Sequence, residues 1–372
     1  MALTVAQVLP ALEVGGVERG TLEIASGLIK AGHRSIVISE GGRLVDRLVS
    51  KGSQHINWPI GKKSLLTFLL AKKLRNLLIK ESVDILHVRS RMPAWVCYLA
   101  LKGMKKHQRP KFICTVHGPY SVNAYSKIMT KGDDVIVISQ FIKDYVLNNY
   151  KGVDEDKLTI IHRGIDAEEF PFDYVPDDNW KKDWAINHSD LKNKFVITLP
   201  ARITRWKGQE DFLLIVDALK QSGLPVHGLI AGGPHAKRIK FLESLKRQVT
   251  EFNLENDISF IGHRDDLKEI MAISDLVLSL AKEPEAFGRT ALESLSLGTP
   301  VVAYDHGGAS EVLKSLFPSG LTPPNDIAAA SAKILSLHKT SSTISKDNPF
   351  TRQAMIAKTI GLYEKNIAKK QP

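Results

Sequence analysis

Residues 276–304 read LVLSLAKEPEAFGRTALESLSLGTPVVAY. An apolar run, Leu276–Leu280, gives way to a polar loop holding Glu285, Phe287 and Gly288. A helical stretch, Thr290–Leu297, then leads back to a second apolar run, PVVAY. Such short, near-continuous apolar runs suit strands buried on both faces, as in parallel sheets covered by helices. Strand, helix and strand in that order make the βαβ unit.

The same rhythm extends through the rest of the chain. Upstream lie TVAQVLP, RSIVIS, VDILHV, KFICTVH, DVIVIS and KLTIIH, followed by FVITLP, VHGLIAGG and ISFIGH. Between them, Leu22–Ala31, Leu65–Lys80, Glu210–Gln221 and Lys240–Phe252 read as helices. The rhythm stops in FPFDYVPDDNWKKDW, at 170–185, where Pro, Asp and Asn gather. A second polar break at 338–349 precedes a last helical stretch, Arg352–Asn366. The expected fold is therefore α/β, with two doubly wound Rossmann-like domains covering residues 1–172 and 185–349.

Length and composition agree with that reading. A chain of 372 residues is too long for one ordinary core and suits two domains. A hydrophobic fraction of 43% and a charged fraction of 24% exclude disordered, fibrous and polytopic membrane classes. Cys97 and Cys114 are too few for a disulfide framework or a zinc site, and a reduced cytosolic pair is the default. The N-terminus lacks a basic region before its apolar residues, so it is not expected to act as a signal peptide. The longest apolar attempt, Leu65–Ile79, is broken by Lys72, Lys73, Arg75 and Asn76.

The formal net charge of +11 calls for an anionic partner. Residues 19–111 hold 19 Lys/Arg against five acids, so the remainder of the chain is slightly acidic. Nucleic acid fits poorly: aromatics are only 7%, and no reading motif accompanies the basic residues. An anionic membrane surface is the other reading, with GKKSLLTFLLAKKLRNLLIK as a candidate surface helix. Equally, that helix could bury Leu66, Leu70, Leu74 and Leu77 and solvate its lysines.

In open parallel sheets, ligands bind beyond the carboxyl ends of the strands. The residues after each apolar run therefore carry the function. EVGGVERG lacks the G-x-G-x-x-G spacing of dinucleotide sites, yet Gly15 and Gly16 can bring backbone N–H groups to an anion at a helix start. In PARITRWKGQEDFL, Arg202 and Lys207 stand five residues apart with Gly208 opening the next helix. Two cations and a helix N-terminus suit a diphosphate leaving group. The Walker A pattern is missing, which disfavours ATP hydrolysis. Glu285 and Glu293, eight residues apart, flank the Phe287–Gly288 backbone donors and suit sugar and ribose hydroxyls. Taken singly, these could be a tight turn, a solvated basic loop and a capping carboxylate. Asp154-Glu155-Asp156 is the clearest D-x-D, and reads as a solvated turn before a strand.

Six motifs occur in order: G-G-x-E-R (15–19), T-x-H-G (115–118), R-x-x-x-x-K-G (202–208), A-G-G (231–233), E-A-F-G-x-x-x-x-E (285–293) and G-T-P-V-V-A (298–303). Together they resemble the retaining glycosyltransferases of family GT4 (glycosyltransferases group 1), whose GT-B fold sets two Rossmann-like domains across a cleft. The resemblance implies a sugar transfer of class EC 2.4 from a UDP- or GDP-sugar to a glycan or lipid-linked acceptor, without cofactor or metal. It gives catalytic parts to His117, Arg202, Lys207 and Glu285. Donor contacts fall to Gly16, Gly232, Gly262, Arg264, Phe287, Gly288, Arg289 and Glu293. His87, Arg89, Arg91 and Tyr120 are expected on the acceptor side. The last stretch, about 350–372, would cross back to the N-terminal domain. Two departures stand out: Arg163-Gly164-Ile165-Asp166 where the family often has Asn first, and Glu285-Ala286-Phe287-Gly288 where it commonly has Glu-Gly-Phe-Gly. The strings SRMPAW, IIHRGID and PEAFGRTALE resemble enzymes of bacterial envelope polysaccharide and lipopolysaccharide synthesis. The expected location is the cytoplasm, with attachment to the inner face of the cytoplasmic membrane in the reading where the basic region 19–111 docks there. A competing expectation is an epimerase on the same architecture, which would need no acceptor.

Overall fold

Two wholly parallel sheets form in the computed structural model, which describes residues 2–13, 15–234, 238–340 and 343–368. The chain divides into unit 1, Met1–Gly164 with Arg352–Pro372, and unit 2, Ile165–Thr351. In unit 1 the elements are β1 (Thr4–Val8), α1 (Gly16–Lys30), β2 (Arg34–Ser39), α2 (Val45–Ser50), β3 (Gln54–Asn57), α3 (Leu70–Lys80), β4 (Ile85–Val88), α4 (Arg91–Lys102), β5 (Lys111–Val116), β6 (Asp134–Val137), α5 (Gln140–Asn149) and β7 (Leu158–Ile160). Its sheet runs β3-β2-β1-β4-β5-β6-β7.

Unit 2 contains α6 (Asp178–Asn187), β8 (Phe195–Pro200), α7 (Gln209–Gln221), β9 (Val226–Ala231), α8 (Ile239–Glu251), β10 (Ile258–Gly262), α9 (Leu267–Ile273), β11 (Leu276–Ser279), α10 (Arg289–Leu297), β12 (Val301–Tyr304), α11 (Gly307–Leu316), β13 (Leu321–Thr322) and α12 (Ile327–Lys339). Its sheet runs β10-β9-β8-β11-β12-β13. The last helix, α13 (Arg352–Ala368), belongs to unit 1. Strand order reverses between β1 and β4 in unit 1 and between β8 and β11 in unit 2. A crevice opens at such a reversal, beyond the carboxyl ends of the strands.

All the apolar runs become strands, and two strands carry no such run. β3, QHIN, is a polar edge strand, and β13 pairs only two residues with β12. An edge strand has one hydrogen-bonded neighbour and need not be apolar on both faces. The polar break at 170–185 holds most of α6, whose Trp184 packs with Leu191, Val196, Leu229 and Ile270 of unit 2. The chain leaves unit 1 earlier, at Gly164. The stretch read as one helix over 65–80 is a 3-10 turn, Leu65–Leu69, followed by α3.

α13 closes the core of unit 1. Met355, Leu362, Tyr363 and Ile367 pack against Leu3, Val5, Ile24, Leu28, Ile85, Ile113 and Ile136. A polar bond crosses this apolar contact: the Tyr363 hydroxyl lies 2.6 Å from His87 Nδ1, and His87 Nε2 lies 2.6 Å from the Thr115 hydroxyl. Both ring nitrogens are thus satisfied inside the core, as a buried imidazole requires. Replacing Tyr363 by Phe keeps the ring and removes the partner of His87 Nδ1. Urea unfolding of Tyr363→Phe is expected to show a loss of about 1–3 kcal/mol, the cost of one orphaned buried polar atom. An unchanged midpoint would contradict that role.

Candidate functional site

The strand ends at the reversal in unit 2 are tied together by backbone. Beyond β8 the chain makes a 3-10 turn, Arg205–Lys207, and enters α7 through Gly208 at φ +76°. A Cβ on Gly208 would collide with the carbonyl oxygen of Leu280, just past β11. α10 likewise starts behind Gly288 at φ +77°, where a Cβ would collide with Ala309 of α11. Only glycine tolerates both the left-handed backbone and the close approach. The loops are also joined by hydrogen bonds: Lys282 N–H donates to Trp206 O at 2.8 Å, and Gly308 N–H donates to Glu285 O at 2.7 Å. The N-cap residues of α7 and α10 are glycines with no side chain to cap them, so among the described residues the first N–H groups of both helices are open to an anion.

Charged side chains gather on that frame. Lys207 forms an ion pair with Glu285, and both are mostly buried. The two line a pocket with the ends of β8 and β11 and with Thr290 and Ala291 of α10. Lys207 Nζ also stands 4.3 Å from the Trp206 ring centre. On α10, Arg289 Nε donates to Glu293 Oε1 at 2.7 Å, one helical turn away. Lys282 pairs with Asp211 at 2.9 Å, and Asp211 accepts from the buried Tyr304 hydroxyl at 2.7 Å. Arg202 is exposed, and its guanidinium has no partner among the described residues. Phe287 is buried and stacks edge-on to Phe350. Unit 2 therefore brings together Arg202, Lys207, Glu285, Phe287, Gly288, Arg289 and Glu293. Sequence reasoning missed Lys282 and Asp211, whose pairing joins the loop after β11 to the first turn of α7, far apart in the chain.

Three other donor candidates have different surroundings. Gly232 permits a close approach, since a Cβ there would collide with the Ala201 carbonyl. Gly262 ends β10 at φ +69° beside a register shift and faces open space. Arg264, expected near the nucleotide, is instead committed to Asp266 through two hydrogen bonds of 2.7 and 2.6 Å. Its guanidinium also lies 5.7 Å from the Trp184 ring, so its fork is already spent inside unit 2.

The remaining candidates lie in unit 1. Gly16 starts α1 and is exposed, with open space where a Cβ would be. His87 and Arg89, expected on the acceptor side, are buried instead. β4 is a central strand covered on both faces, and His87 is enclosed by Tyr363 and Thr115. Arg89 is 3% exposed and donates to Gln7 Oε1 from Nε and Nη2 at 3.2 and 2.7 Å. Both nonetheless line a narrow pocket with Thr115 and Thr359. Arg91, half-buried at the start of α4, lies 5.0 Å from the Tyr120 ring and donates to Ser126 Oγ at 3.1 Å. The Tyr120 carbonyl accepts from the Tyr145 hydroxyl at 2.5 Å, which fixes the loop after β5.

His117 follows β5. Its Nδ1 lies 2.7 Å from Arg163 Nη2, and its Nε2 is buried with no hydrogen-bond partner among the described residues. Burial first, then the charges of Arg163 and Arg89 and the neighbouring His87, hold its pKa well below the usual imidazole value. Elsewhere in unit 1, Asp154 caps a 3-10 turn by accepting from Asp156 N–H, while Glu155 pairs with Lys143. Among the described residues, no group of three or more His, Cys, Asp or Glu side chains could hold a metal ion.

Comparison with known proteins agrees with this arrangement. Residues 14–169 match the Glycosyltransferase Family 4 model, and residues 180–354 match Glycosyl transferases group 1. A crystal structure of a glycosyltransferase from Rickettsia africae ESF-5 is 32% identical, covers 98% of each chain and superposes with a TM-score of 0.84. The lipopolysaccharide core biosynthesis mannosyltransferase LpsB of Rhizobium meliloti is 31% identical over 157 residues, 42% of this chain and 42% of that enzyme. Anabaena Alr3699/HepE, solved in complex with UDP-glucose, shares the fold at 21% identity and a TM-score of 0.76, over 97% of this chain and 100% of its own. The chain is a glycosyltransferase and belongs to the group 1 glycosyltransferases of GT-B fold.

Proposed function

We propose that the protein moves a sugar from a UDP- or GDP-sugar to a hydroxyl of a glycan or lipid-linked acceptor, with retention at the anomeric carbon and without a metal ion. The observation that carries the donor half is the set of free helix N–H groups and cations at the ends of β8 and β11. A sugar nucleotide already contains a good leaving group. The enzyme has to stabilise negative charge growing on the diphosphate and orient the acceptor hydroxyl. Arg202, Lys207 and the starts of α7 and α10 are the groups for the first task, in the part that a divalent ion would otherwise take. Glu285 now neutralises Lys207. A bound diphosphate would give Lys207 a more highly charged partner and release Glu285 to accept from sugar hydroxyls. Glu293, with one oxygen held by Arg289, keeps the other for ribose hydroxyls. The UDP-glucose bound in the Anabaena structure supports a nucleotide-sugar donor.

The acceptor half rests on the surface of unit 1. Leu65, Leu66 and Leu69 are 85%, 73% and 72% exposed, while Leu74 and Leu78 of the adjoining α3 are buried. Lys62, Lys63, Lys72 and Lys73 are exposed around them. Apolar side chains ringed by lysines suit the headgroup layer of an anionic membrane, where a lipid-linked acceptor resides. No described helix is long and apolar enough to cross a membrane. The likeness to LpsB supports a place in lipopolysaccharide or envelope polysaccharide synthesis, at the inner face of the cytoplasmic membrane.

Incubation of sugar nucleotides with and without glycan acceptor separates transfer from epimerisation, since an epimerase turns over without acceptor. Lys207→Ala at saturating donor is expected to lower turnover about a hundredfold or more, a loss of about 2.7–4 kcal/mol of transition-state stabilisation, while the melting temperature holds. A fall of less than about threefold would contradict the part given to Lys207. For the membrane half, the protein is expected to sediment with phosphatidylglycerol vesicles at low salt and to be released by high salt. Replacing Leu65, Leu66 and Leu69 together by Ser should weaken that binding more than about tenfold, given about 1.5–3 kcal/mol for each fully buried leucine. Absence of binding to anionic vesicles at low salt would contradict it.

A further inference from the structure

Arg163 stands where the motif it belongs to often has Asn, and its guanidinium reaches back to His117. A guanidinium has donors and no acceptor. The 2.7 Å contact therefore makes Nδ1 of His117 the acceptor. A neutral imidazole that accepts at Nδ1 carries its proton on Nε2. That Nε2 is the atom left buried without a partner among the described residues.

The position of Arg163 is itself built. Its Nη1 lies 3.8 Å from Met355 Sδ on α13. A Cβ on Gly20, buried in α1, would collide with the same Nη1. The missing side chain at Gly20 is the slot that admits the guanidinium. Arg163 also lines a narrow pocket with His87, Arg89, Thr115 and Thr359.

We propose that Arg163 is a positioning residue for His117, fixing its Nε2–H tautomer and ring orientation so that His117 meets a substrate oxygen as a hydrogen-bond donor and not as a base. Gly20 is the second part of the device. The catalytic half of this inference rests on the reading in which His117 sits beside the transferred sugar; the tautomer does not depend on it. A second proton on the ring would sit on Nδ1, facing the guanidinium. The other titratable or charged groups around the ring are Arg89, the buried His87 and the Tyr120 hydroxyl, which accepts from His117 N–H at 3.4 Å. Among the described residues, the charges that act on the ring are those of Arg163 and Arg89, with His87 beside them, while the carboxylate Glu23 acts on Arg89. The ring is thus held neutral as pH falls below the ordinary imidazole value of 6.5.

Long-range ¹⁵N–¹H spectra of the full chain across a pH titration report tautomer and protonation directly. The wild-type His117 signals should show the Nε2–H form, with protonation well below pH 6.5. Arg163→Ala should populate the Nδ1–H form, raise the His117 pKa and lower kcat about tenfold or more, the cost of misplacing one hydrogen-bond donor. Arg163→Lys, which still donates to Nδ1, should restore the tautomer. Gly20→Ala, with Arg163 present, should give the Arg163→Ala spectrum because the slot is filled. A His117 tautomer unchanged in Arg163→Ala would overturn the positioning role. Loss of the tautomer with kcat intact would overturn the catalytic half. A chain that turns over no sugar nucleotide would fail the proposed function and leave the spectral result standing.

Discussion

The site in unit 2 depends on backbones coming closer than any side chain would allow. Gly208 sets the start of α7 against Leu280 beyond β11, and Gly288 sets the start of α10 against Ala309 of α11. Because both glycines are left-handed, each helix turns abruptly out of its loop and presents uncapped N–H groups at the strand ends. Lys207 and Glu285 are carried on those two loops, so their pairing follows from the same backbone contacts. Widening either approach by a single Cβ would separate the loops and dissolve the arrangement.

Charge is handled in a similar way. The excess of cations lies in residues 19–111 of unit 1, while the cations of the site in unit 2 are mostly matched in advance. Lys207 has Glu285, Arg289 has Glu293 and Lys282 has Asp211. Arg202 has none among the described residues. A phosphorylated ligand would therefore bind largely by exchanging partners, which limits the cost of holding cations in a partly buried pocket without substrate. In unit 1 the opposite device operates. Burial together with Arg163, Arg89 and His87 holds the His117 imidazole pKa well below its usual value.

Much of this was legible in the sequence because parallel strands buried on both faces need unbroken apolar runs, and the loops after them must hold the polar residues. Lys207, Glu285 and Gly288 stand in such loops, and Glu293 lies one turn into the helix that follows. Less was legible where a residue's role depends on partners far away in the chain. His87 looked like a polar residue at a strand end, yet its partner is Tyr363, 276 residues on. Arg89 is likewise buried through Gln7, 82 residues back. Arg264 is different, since Asp266 is two residues away; the sequence allowed their pairing, but only the turn geometry brings the fork onto the carboxylate. Leu66 had the spacing of a core leucine, but the turn at Leu65–Leu69 rotates it out of the helical stripe and leaves it exposed.

Recognition of the diphosphate by Arg202, Lys207 and the two helix starts is the central claim, and calorimetry in EDTA tests it most directly. A nucleoside diphosphate should bind at least about a hundredfold more tightly than its parent nucleoside, as two charge-assisted hydrogen bonds of about 1.5–3 kcal/mol each require. Equal affinity for the two, or diphosphate binding that vanishes without a divalent ion, would contradict it.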